Sequence, residues 1–252
     1  MSRLGAGGRR LAPVQTVIFD WGGTITPWRP VDLSAQWLAF ARAHPGHAQE
    51  AEVLARRILE VEGMAWRRGR DSGASASLDE ILYEAGVLVE HEGHLAALTA
   101  YQDFWYPHTL TDPDIEPLWT GLRERGIKVG VLSNTIWTRE YHRDVFARDG
   151  VLHLVDGDVY SSEIAHTKPH PEAFAAALAA VGVQDPGAAV YVGDRPYEDV
   201  HGAQQAGMRA VLVPHSDLPV DQQVQGHRHD DVHPDAVIDR LADLLAVVDG
   251  WR

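Results

Sequence analysis

Short, mostly apolar runs alternate along much of the chain with stretches of helical spacing. The runs are rich in β-branched residues and cover residues 14–19, 127–132, 188–192 and 209–213. Continuous apolar runs of this length are typical of strands that are buried on both faces of a parallel sheet. The pattern therefore predicts an α/β fold with a doubly wound, Rossmann-like parallel sheet.

Amphipathic stretches follow these runs and are expected to cover the two faces of the sheet as helices. They lie at about 117–125, 139–147, 171–181 and 197–206, and a last one at about 234–248 closes the chain. The polar residues 214–233 are expected to form a surface connection between the last strand and this final helix.

The strand pattern is interrupted between the first two apolar runs. Leucine, alanine and tryptophan recur there at helical spacing, with breaks at Pro45 and Gly46 and at the turn residues Asp71, Ser72 and Gly73. This stretch is too long for a loop and predicts three or four helices in a domain of their own. We expect an α/β core at 14–26 and 111–252, an all-helical inserted domain at 27–110 and a flexible amino terminus at 1–13.

Charge and composition narrow the classes of function. The 252 residues include 36 acidic and 22 basic side chains, a formal charge of −14, which disfavours nucleic acid and anionic membranes as partners. No run reaches the roughly 18 apolar residues of a membrane helix, and residues 1–13 lack the apolar core of a secretory signal. A cytoplasmic protein is therefore expected. The absence of cysteine excludes thiolate metal sites and cysteine nucleophiles.

Polar side chains follow the predicted strands at the points where the strands end. They are Asp20 after the first strand, Ser133 and Asn134 after the second, Asp194 and Asp199 after the strand at 188–192, and Lys168 in a loop before a helix. Because ligands bind at the carboxyl ends of the strands in an open parallel sheet, we expect these side chains to converge. Three carboxylates in one place favour a bound Mg²⁺, and a lysine beside them favours phosphoryl chemistry. An aspartate can act as the nucleophile in such a site.

Four short motifs occur in a fixed order along the chain. They read Asp-Trp-Gly-Gly-Thr at 20–24, Leu-Ser-Asn at 132–134, Lys-Pro at 168–169 and Gly-Asp-Arg-Pro-Tyr-Glu-Asp at 193–199. As an ordered set they resemble the four motifs of the haloacid dehalogenase superfamily, in the branch with a helical cap inserted after the first strand. The resemblance extends from about residue 14 to the carboxyl end.

The resemblance implies a role for each motif residue. Asp20 would be the nucleophile, and Ser133 and Lys168 would hold the phosphoryl group and neutralise its charge. Further substrate contacts are expected from Asn134, Gly23 and Thr24. The ligands of Mg²⁺ would be Asp20, the backbone carbonyl of Gly22, Asp194 and Asp199. The cap would close over the substrate and select the leaving group.

Gly22 departs from the pattern of the family. Phosphatases of the family have an aspartate there, which protonates the leaving group and later activates water, a contribution of about 10²–10⁴-fold. Glycine cannot transfer a proton, although its carbonyl can still bind a metal. The reaction must therefore find its proton elsewhere, use a good leaving group or be slow. His44 and His108 of the cap are candidates for the proton source.

The expected function is Mg²⁺-dependent hydrolysis of a small phosphorylated metabolite through an aspartyl-phosphate. The alternative is a weak or inactive phosphate-binding regulatory protein, which Gly22 favours. A phosphonoacetaldehyde hydrolase is less expected, because it needs a cap lysine and the two lysines, Lys128 and Lys168, lie in the core. A 2-haloacid dehalogenase is less expected, because that group works without a metal and lacks the acids Asp194 and Asp199. The expected binding partner is the small phosphorylated substrate. Whether the chain also forms a homodimer is left open by the sequence.

Other conspicuous residues have ordinary structural interpretations. A second metal site at His227, His229 and His233 is disfavoured, because no strand or helix fixes them. The tryptophans of the cap are expected to form its core, with Trp21 and Trp28 set apart because they lie next to the first motif. The remaining ones are Trp37, Trp66 and Trp105. The arginines of the cap are expected on a solvated helix face; they are Arg56, Arg57, Arg67, Arg68 and Arg70.

Overall fold

The computed structural model describes residues 12–29, 31–87, 89, 92–214 and 232–252. Within them, parallel strands form one six-stranded sheet in the order β3-β2-β1-β4-β5-β6. The strands are β1 (Thr16–Phe19), β2 (Lys128–Ser133), β3 (Gly157–Tyr160), β4 (Ala189–Gly193), β5 (Arg209–Leu212) and β6 (Ala236–Val237). The predicted doubly wound, Rossmann-like class is confirmed. The order of the strands reverses between β1 and β4, which places a binding crevice at their carboxyl ends.

Among the described residues, four α-helices lie in the insert between Thr26 and Thr111. They are α1 (Leu33–Ala43), α2 (Ala51–Ser72), α3 (Leu78–Glu84) and α4 (His94–Trp105). Helix α1 begins after Asp32, whose side chain accepts hydrogen bonds from the amides of Ser34 and Ala35. Helix α2 ends at Gly73, whose φ of 72° is the left-handed conformation that favours glycine. Their number agrees with the sequence pattern, while the domain boundaries at 27 and 110 stay a prediction.

The two ends of this helical insert lie side by side. The amide of Asp112, just after the insert, donates a hydrogen bond of 2.8 Å to the carbonyl of Ile25, just before it. Within the insert, α1 packs against both α2 and α4, and Trp37 and Phe40 of α1 are fully buried. The helices therefore pack on one another, and their buried side chains continue the apolar cluster that holds Val17 and Phe19 of β1.

Helices cover both faces of the sheet. They are α5 (Ile115–Glu124), α6 (Arg139–Arg148), α7 (Pro171–Ala180), α8 (Gly202–Gln205) and α9 (Leu244–Asp249). Successive side chains of a strand point to opposite faces, so Val17 and Phe19 of β1 pack in one apolar cluster and Ile18 packs in the other. No helix among the described residues is both long enough and apolar enough to cross a bilayer.

The structure adds two strands that were not predicted and corrects two predicted helices. Strands β3 and β6 were not predicted, because Gly157 and Asp158 in β3 are uncommon in strands and β6 has only two residues. The predicted helix at 234–248 is wrong in its first half: the chain there pairs with β5 as strand β6, and α9 begins only at Leu244. The predicted helix at 197–206 is a π-helical segment, Pro196–His201, followed by the single turn of α8.

Some expectations fall outside the described residues. They concern the amino terminus up to residue 11, most of the polar stretch at 214–233, and the histidines His227 and His229.

Candidate active site

Asp20 lies directly after β1, where the chain leaves the sheet in a tight loop. Its amide donates a hydrogen bond of 2.8 Å to the carbonyl of Val192 in β4, and the amide of Gly23 closes the loop with a 2.8 Å bond to the carbonyl of Thr26. Gly23 has a φ of 87°, and a Cβ there would overlap the carboxylate of Asp194. Glycine is therefore required where the β1 loop meets the acidic residue that follows β4.

Lys168 is the buried cation of the site. Its Nζ lies 2.6 Å from Oδ1 of Asp20 and 2.6 Å from Oδ1 of Asp199. It also donates to the hydroxyl of Tyr191 at 2.8 Å, and that hydroxyl donates in turn to the carbonyl of Leu132 at 2.9 Å. Burial alone would lower the pKa of Lys168, but the two carboxylates raise it, so the ammonium stays charged.

Asn134 positions the loop that carries Lys168. The side-chain amide of Asn134 donates a hydrogen bond of 2.9 Å to the backbone carbonyl of Lys168, and its oxygen accepts one of 2.8 Å from the backbone amide of Lys168. Both ends of this side chain are thus used on the backbone of one residue, Lys168. The predicted contact of Asn134 with the substrate stays a prediction, whereas its hold on the Lys168 backbone is a feature of the fold.

Replacing Asn134 tests this positioning role. We expect Asn134→Ala to lower the free energy of unfolding by about 1–3 kcal/mol, because two backbone groups of Lys168 lose their partner. Urea unfolding followed by circular dichroism measures this loss. A loss below about 1 kcal/mol would contradict the positioning role.

Three buried acids form a cluster around Lys168. Asp20, Asp194 and Asp199 each offer a carboxylate oxygen that lies within 4.8 Å of the others. Burial is the main cause that raises the pKa of Asp20 to about 7; Lys168 opposes this rise, and Asp199 and Asp194 add to it. With all groups ionised, three carboxylates and one ammonium leave an excess of negative charge. A hard divalent cation with oxygen ligands, such as Mg²⁺, fits this donor set.

A cavity of about 410 Å³ opens beside Asp20. Most of the predicted site residues line it, namely Asp20, Gly22, Gly23, Ser133, Asn134 and Lys168. Asp194 and Asp199 join the site through the acid cluster. Thr24 is fully buried and is not among the lining residues, so the structure gives it no direct access to a ligand in the cavity.

Much of the remaining cavity lining is aromatic. Tyr197 is one of these residues, and six others, which we call the aromatic wall, are Trp21, Trp28, Trp66, Tyr101, Trp105 and Trp137. The prediction of a core position is confirmed for Trp37, which is fully buried, but it is incomplete for Trp66 and Trp105, which pack against the core and also line the cavity. Arg67 and Arg70 are exposed, as expected, yet they border the cavity as well.

The two candidate histidines lie in different places. His108 lines the cavity. His44 is buried at the end of α1, where its ring packs against those of Phe40 and His94, and it does not line the cavity. Only His108 of these two is therefore placed to meet a ligand.

Sequence reasoning missed the residues that support the site from a distance. Tyr191 lies inside a buried strand, where a hydroxyl needs a polar partner, and that need was the available signal. Trp137 follows the second motif, and its Nε1 donates to the hydroxyl of Tyr101 in α4 at 2.7 Å. Glu62 of α2 accepts hydrogen bonds from Nε1 of Trp37 at 2.7 Å and from Nε1 of Trp66 at 3.4 Å. The contact of Glu62 with Trp66 has the i, i+4 spacing of one helix face and could have been read from the sequence. No local pattern predicts the contacts of Trp137 with Tyr101 and of Glu62 with Trp37, because they depend on how the helices pack.

A second group with metal-ligating atoms lies beside the Lys168 loop. His166, His170 and Glu172 each offer one such atom within 4.8 Å of the others. The two imidazole rings are stacked, with centroids 3.8 Å apart and planes 14° from parallel. Nitrogen lone pairs in nearly parallel planes cannot point at one ion unless a ring turns, so this arrangement does not form a metal site as it stands.

Comparison with known proteins agrees with this geometry. Residues 14–207 match the family model described as haloacid dehalogenase-like hydrolase. The glyceraldehyde 3-phosphate phosphatase of Methanopyrus kandleri is 35% identical over 238 residues, which cover 93% of this chain and 97% of that protein. The phosphoserine phosphatase of Thermus thermophilus is 34% identical over 144 residues, which cover 57% of this chain and 55% of that protein. The crystal structure of the HAD phosphatase from Thermococcus onnurineus matches with a TM-score of 0.63 and 26% identity, covering 94% of this chain and 99% of that one.

Proposed function

We propose, from the premise that this chain belongs to the haloacid dehalogenase-like hydrolases, that it is a Mg²⁺-dependent phosphatase of a small phosphorylated metabolite. The observation that carries the proposal is the buried ammonium of Lys168 between Asp20 and Asp199 at the edge of a cavity. An aspartate beside a fixed positive charge is suited to attack phosphorus, because the charge of the phosphoryl oxygens is neutralised where it lies. The phosphatase names of the two curated relatives support the same reaction class.

Asp20 would act as the nucleophile. Its carboxylate oxygen forms a bond to phosphorus while the bond from phosphorus to the ester oxygen breaks, and the electron pair stays on the leaving oxygen. Water then attacks the aspartyl-phosphate, which releases inorganic phosphate and restores the carboxylate. Lys168 and Ser133, which both line the cavity, would hold the phosphoryl oxygens during the two steps.

Mg²⁺ would be held by Asp20 and Asp194, with the backbone carbonyl of Gly22 as a further ligand and Asp199 in support. Asp199 already accepts hydrogen bonds from Lys168 at 2.6 Å and from the backbone amide of Arg195 at 2.9 Å, which suits a supporting role. When bound, the cation neutralises charge on the phosphoryl group during its transfer.

The chain has room for the acid that it lacks at position 22. Nothing lies within 4 Å of the place that a Cβ of Gly22 would take. We expect Gly22→Asp to raise kcat/KM for alkyl phosphates such as glycerol 3-phosphate by about 10²-fold, because a carboxyl group can then protonate the alkoxide. Steady-state release of inorganic phosphate measures the change. Gly22→Asn is the matched control, because its side chain has the same size but no acidic proton. An equal gain in both variants would contradict proton transfer as the cause.

A phosphate-binding regulatory protein is the second candidate, and Gly22 favours it. A panel of phosphate esters graded by the pKa of the leaving group, assayed with and without Mg²⁺, separates the two. Cleavage that needs both Mg²⁺ and Asp20 supports the phosphatase. Binding of orthovanadate that needs Mg²⁺, with no cleavage of any ester, supports the regulatory protein.

The other two alternatives have less support. Lys128 lies at the start of β2, and its Nζ donates to the carbonyl of Val181 at 2.7 Å, at the opposite end of the strand from Ser133. It therefore cannot form the Schiff base that phosphonoacetaldehyde cleavage requires. The cluster of three acids argues against a metal-independent dehalogenase.

A further inference from the structure

The aromatic wall has two rings without an aromatic partner of their own. Trp137 packs against Trp105 and Trp21, with ring centroids 4.9 Å and 5.4 Å apart. Trp28 and Trp66 also line the cavity and are only partly buried, but neither ring packs against another aromatic ring among the residues that the structure describes. Aromatic rings gain from stacked or edge-on contact with a second ring. The two tryptophans therefore offer ring surface to a ligand.

The size of the cavity fits a ring system better than a short chain. A cavity of about 150 Å³ is enough for benzene, and this one measures about 410 Å³. A phosphate ester of a three-carbon alcohol would leave the half-buried rings of Trp28, Trp66 and Trp105 in contact with water. A planar bicyclic or larger group would fill the space and cover the wall.

Side chains that line the cavity carry three hydrogen-bond donors without a partner in the described part of the chain, beside the hydroxyl of Thr26, which can donate or accept. Nε1 of Trp21, Nε1 of Trp28 and Nε of Arg195 are buried and have no hydrogen-bond partner among the described residues. The guanidinium of Arg195 forms an ion pair with Glu198, at 3.7 Å from Nη1. Buried donors without acceptors cost free energy, and a ligand acceptor would relieve this cost where a small side-chain rotation turns the donor toward the cavity.

The lack of an acid at position 22 favours the same kind of ligand. With no carboxyl group at position 22, the leaving oxygen departs as an anion unless another group protonates it. The pKa of a phenolic hydroxyl is about 10, far below that of an alkyl alcohol, because the ring delocalises the negative charge. An aryl ester therefore needs no acid, whereas an alkyl ester does.

We propose that the substrate is the phosphate ester of a planar aromatic alcohol, whose ring system packs against the aromatic wall and whose oxygen leaves as an aryloxide. This inference rests on the proposed phosphatase function. Asp20 bonds to phosphorus, the bond from phosphorus to the aryl oxygen breaks, and the electron pair stays on that oxygen, which takes a proton from bulk water after release. Water then cleaves the aspartyl-phosphate and delivers its protons to phosphate and solvent.

Four substrates separate the contribution of the ring from that of the leaving group. They are 2-naphthyl phosphate, 2-naphthylmethyl phosphate, acetyl phosphate and glycerol 3-phosphate. We expect kcat/KM for 2-naphthyl phosphate to exceed that for 2-naphthylmethyl phosphate by about 10²–10⁴-fold, the usual contribution of a missing acid. Acetate is a better leaving group than 2-naphtholate, so acetyl phosphate serves as the reference substrate without a ring for the variant of the wall. Equal kcat/KM for 2-naphthyl phosphate and 2-naphthylmethyl phosphate would overturn departure as an aryloxide. If His108→Gln then cleaved 2-naphthylmethyl phosphate more slowly than 2-naphthyl phosphate, His108 would be identified as the acid.

A variant of the wall provides the second test. Trp66→Leu should lower the ratio of kcat/KM for 2-naphthyl phosphate to that for acetyl phosphate by about 10-fold. Trp251→Leu is the matched control, because Trp251 packs over Arg209 and does not line the cavity. An unchanged ratio in Trp66→Leu would overturn the proposal.

A binding measurement keeps this inference separate from the proposed function. The inert analogue 2-naphthylmethylphosphonate should quench the tryptophan fluorescence of the native chain, with a dissociation constant about 10-fold higher in Trp66→Leu. If none of the four substrates is cleaved, the proposed phosphatase function fails. The fluorescence titration then shows by itself whether the aromatic wall binds a ring. If esters are cleaved but the phosphonate binds no better than methylphosphonate, the phosphatase stands and the ring site is overturned.

Discussion

Asp20→Asn is expected to abolish turnover of phosphate esters, with kcat lower by about 10⁴-fold or more. The amide has nearly the same shape as the carboxyl group but cannot form the bond to phosphorus. Release of inorganic phosphate from 4-nitrophenyl phosphate in the presence of Mg²⁺ measures the loss. A residual rate within 10-fold of the native rate would mean that another group attacks phosphorus.

Asp20→Asn should still fold, and its stability relative to the native chain should change with pH in one defined direction. Burial raises the pKa of Asp20 from 3.8 to about 7, so the folded state prefers the protonated form. The stabilisation by that proton is fully present below about pH 4 and is lost as the pH rises through about 7. Asn carries no charge at any pH. In the presence of EDTA, the free energy of unfolding of Asp20→Asn, relative to that of the native chain, should therefore increase between pH 4 and pH 8. A decrease over this range would contradict the raised pKa of the buried Asp20 carboxyl group.

Lys168→Met is expected to lower both activity and stability. Loss of the ammonium leaves Asp20 and Asp199 buried without their cation, and breaking such a buried pair costs about 3–5 kcal/mol. We expect kcat to fall by about 10²–10³-fold, the usual effect of removing one electrostatic contact to the reacting group. Urea unfolding in EDTA and release of phosphate with Mg²⁺ measure the two effects separately.

The second lysine supplies the control for this prediction. Lys128→Met removes an exposed side chain that bonds only one carbonyl, that of Val181, and should cost no more than about 1 kcal/mol with little effect on kcat. The double variant Lys168→Met with Asp20→Asn should recover part of the stability lost in Lys168→Met, because one of the stranded charges is gone. Strict additivity of the two single effects would contradict a direct pair.

The sheet and the acidic end of the site were predictable because both rest on local patterns. Continuous apolar runs identify buried strands, and in a parallel sheet their carboxyl ends meet at one edge, which brings Asp20, Ser133 and Asp194 together whatever the loops do. Strand β6 could not be predicted, since Ala236 and Val237 gain their pairing from the free edge of β5 rather than from a pattern of their own.

The wall of the cavity was not predictable for a related reason. A tryptophan at helical spacing is compatible with a core position and with a cavity lining, and only packing separates Trp37 from Trp66. The bond from Trp137 to Tyr101 joins residues 36 positions apart, and it forms only once the helical insert has settled against the sheet. Contacts of this kind depend on tertiary geometry, which the spacing of residues does not encode.

The hydrogen bond between Asp112 and Ile25 has a consequence for how such a molecule can diversify. The insert leaves and rejoins the sheet at a single point, so its length has almost no influence on whether the strands can pair. The entropy of closing a loop grows only logarithmically, by about 0.6 kcal/mol for each doubling of its length. Whole helices of the insert can therefore be gained, lost or exchanged while the carboxylates of Asp20, Asp194 and Asp199 keep their places after β1 and β4. Under the proposed function, the part of the chain that selects the substrate and the part that carries the reaction can then change separately.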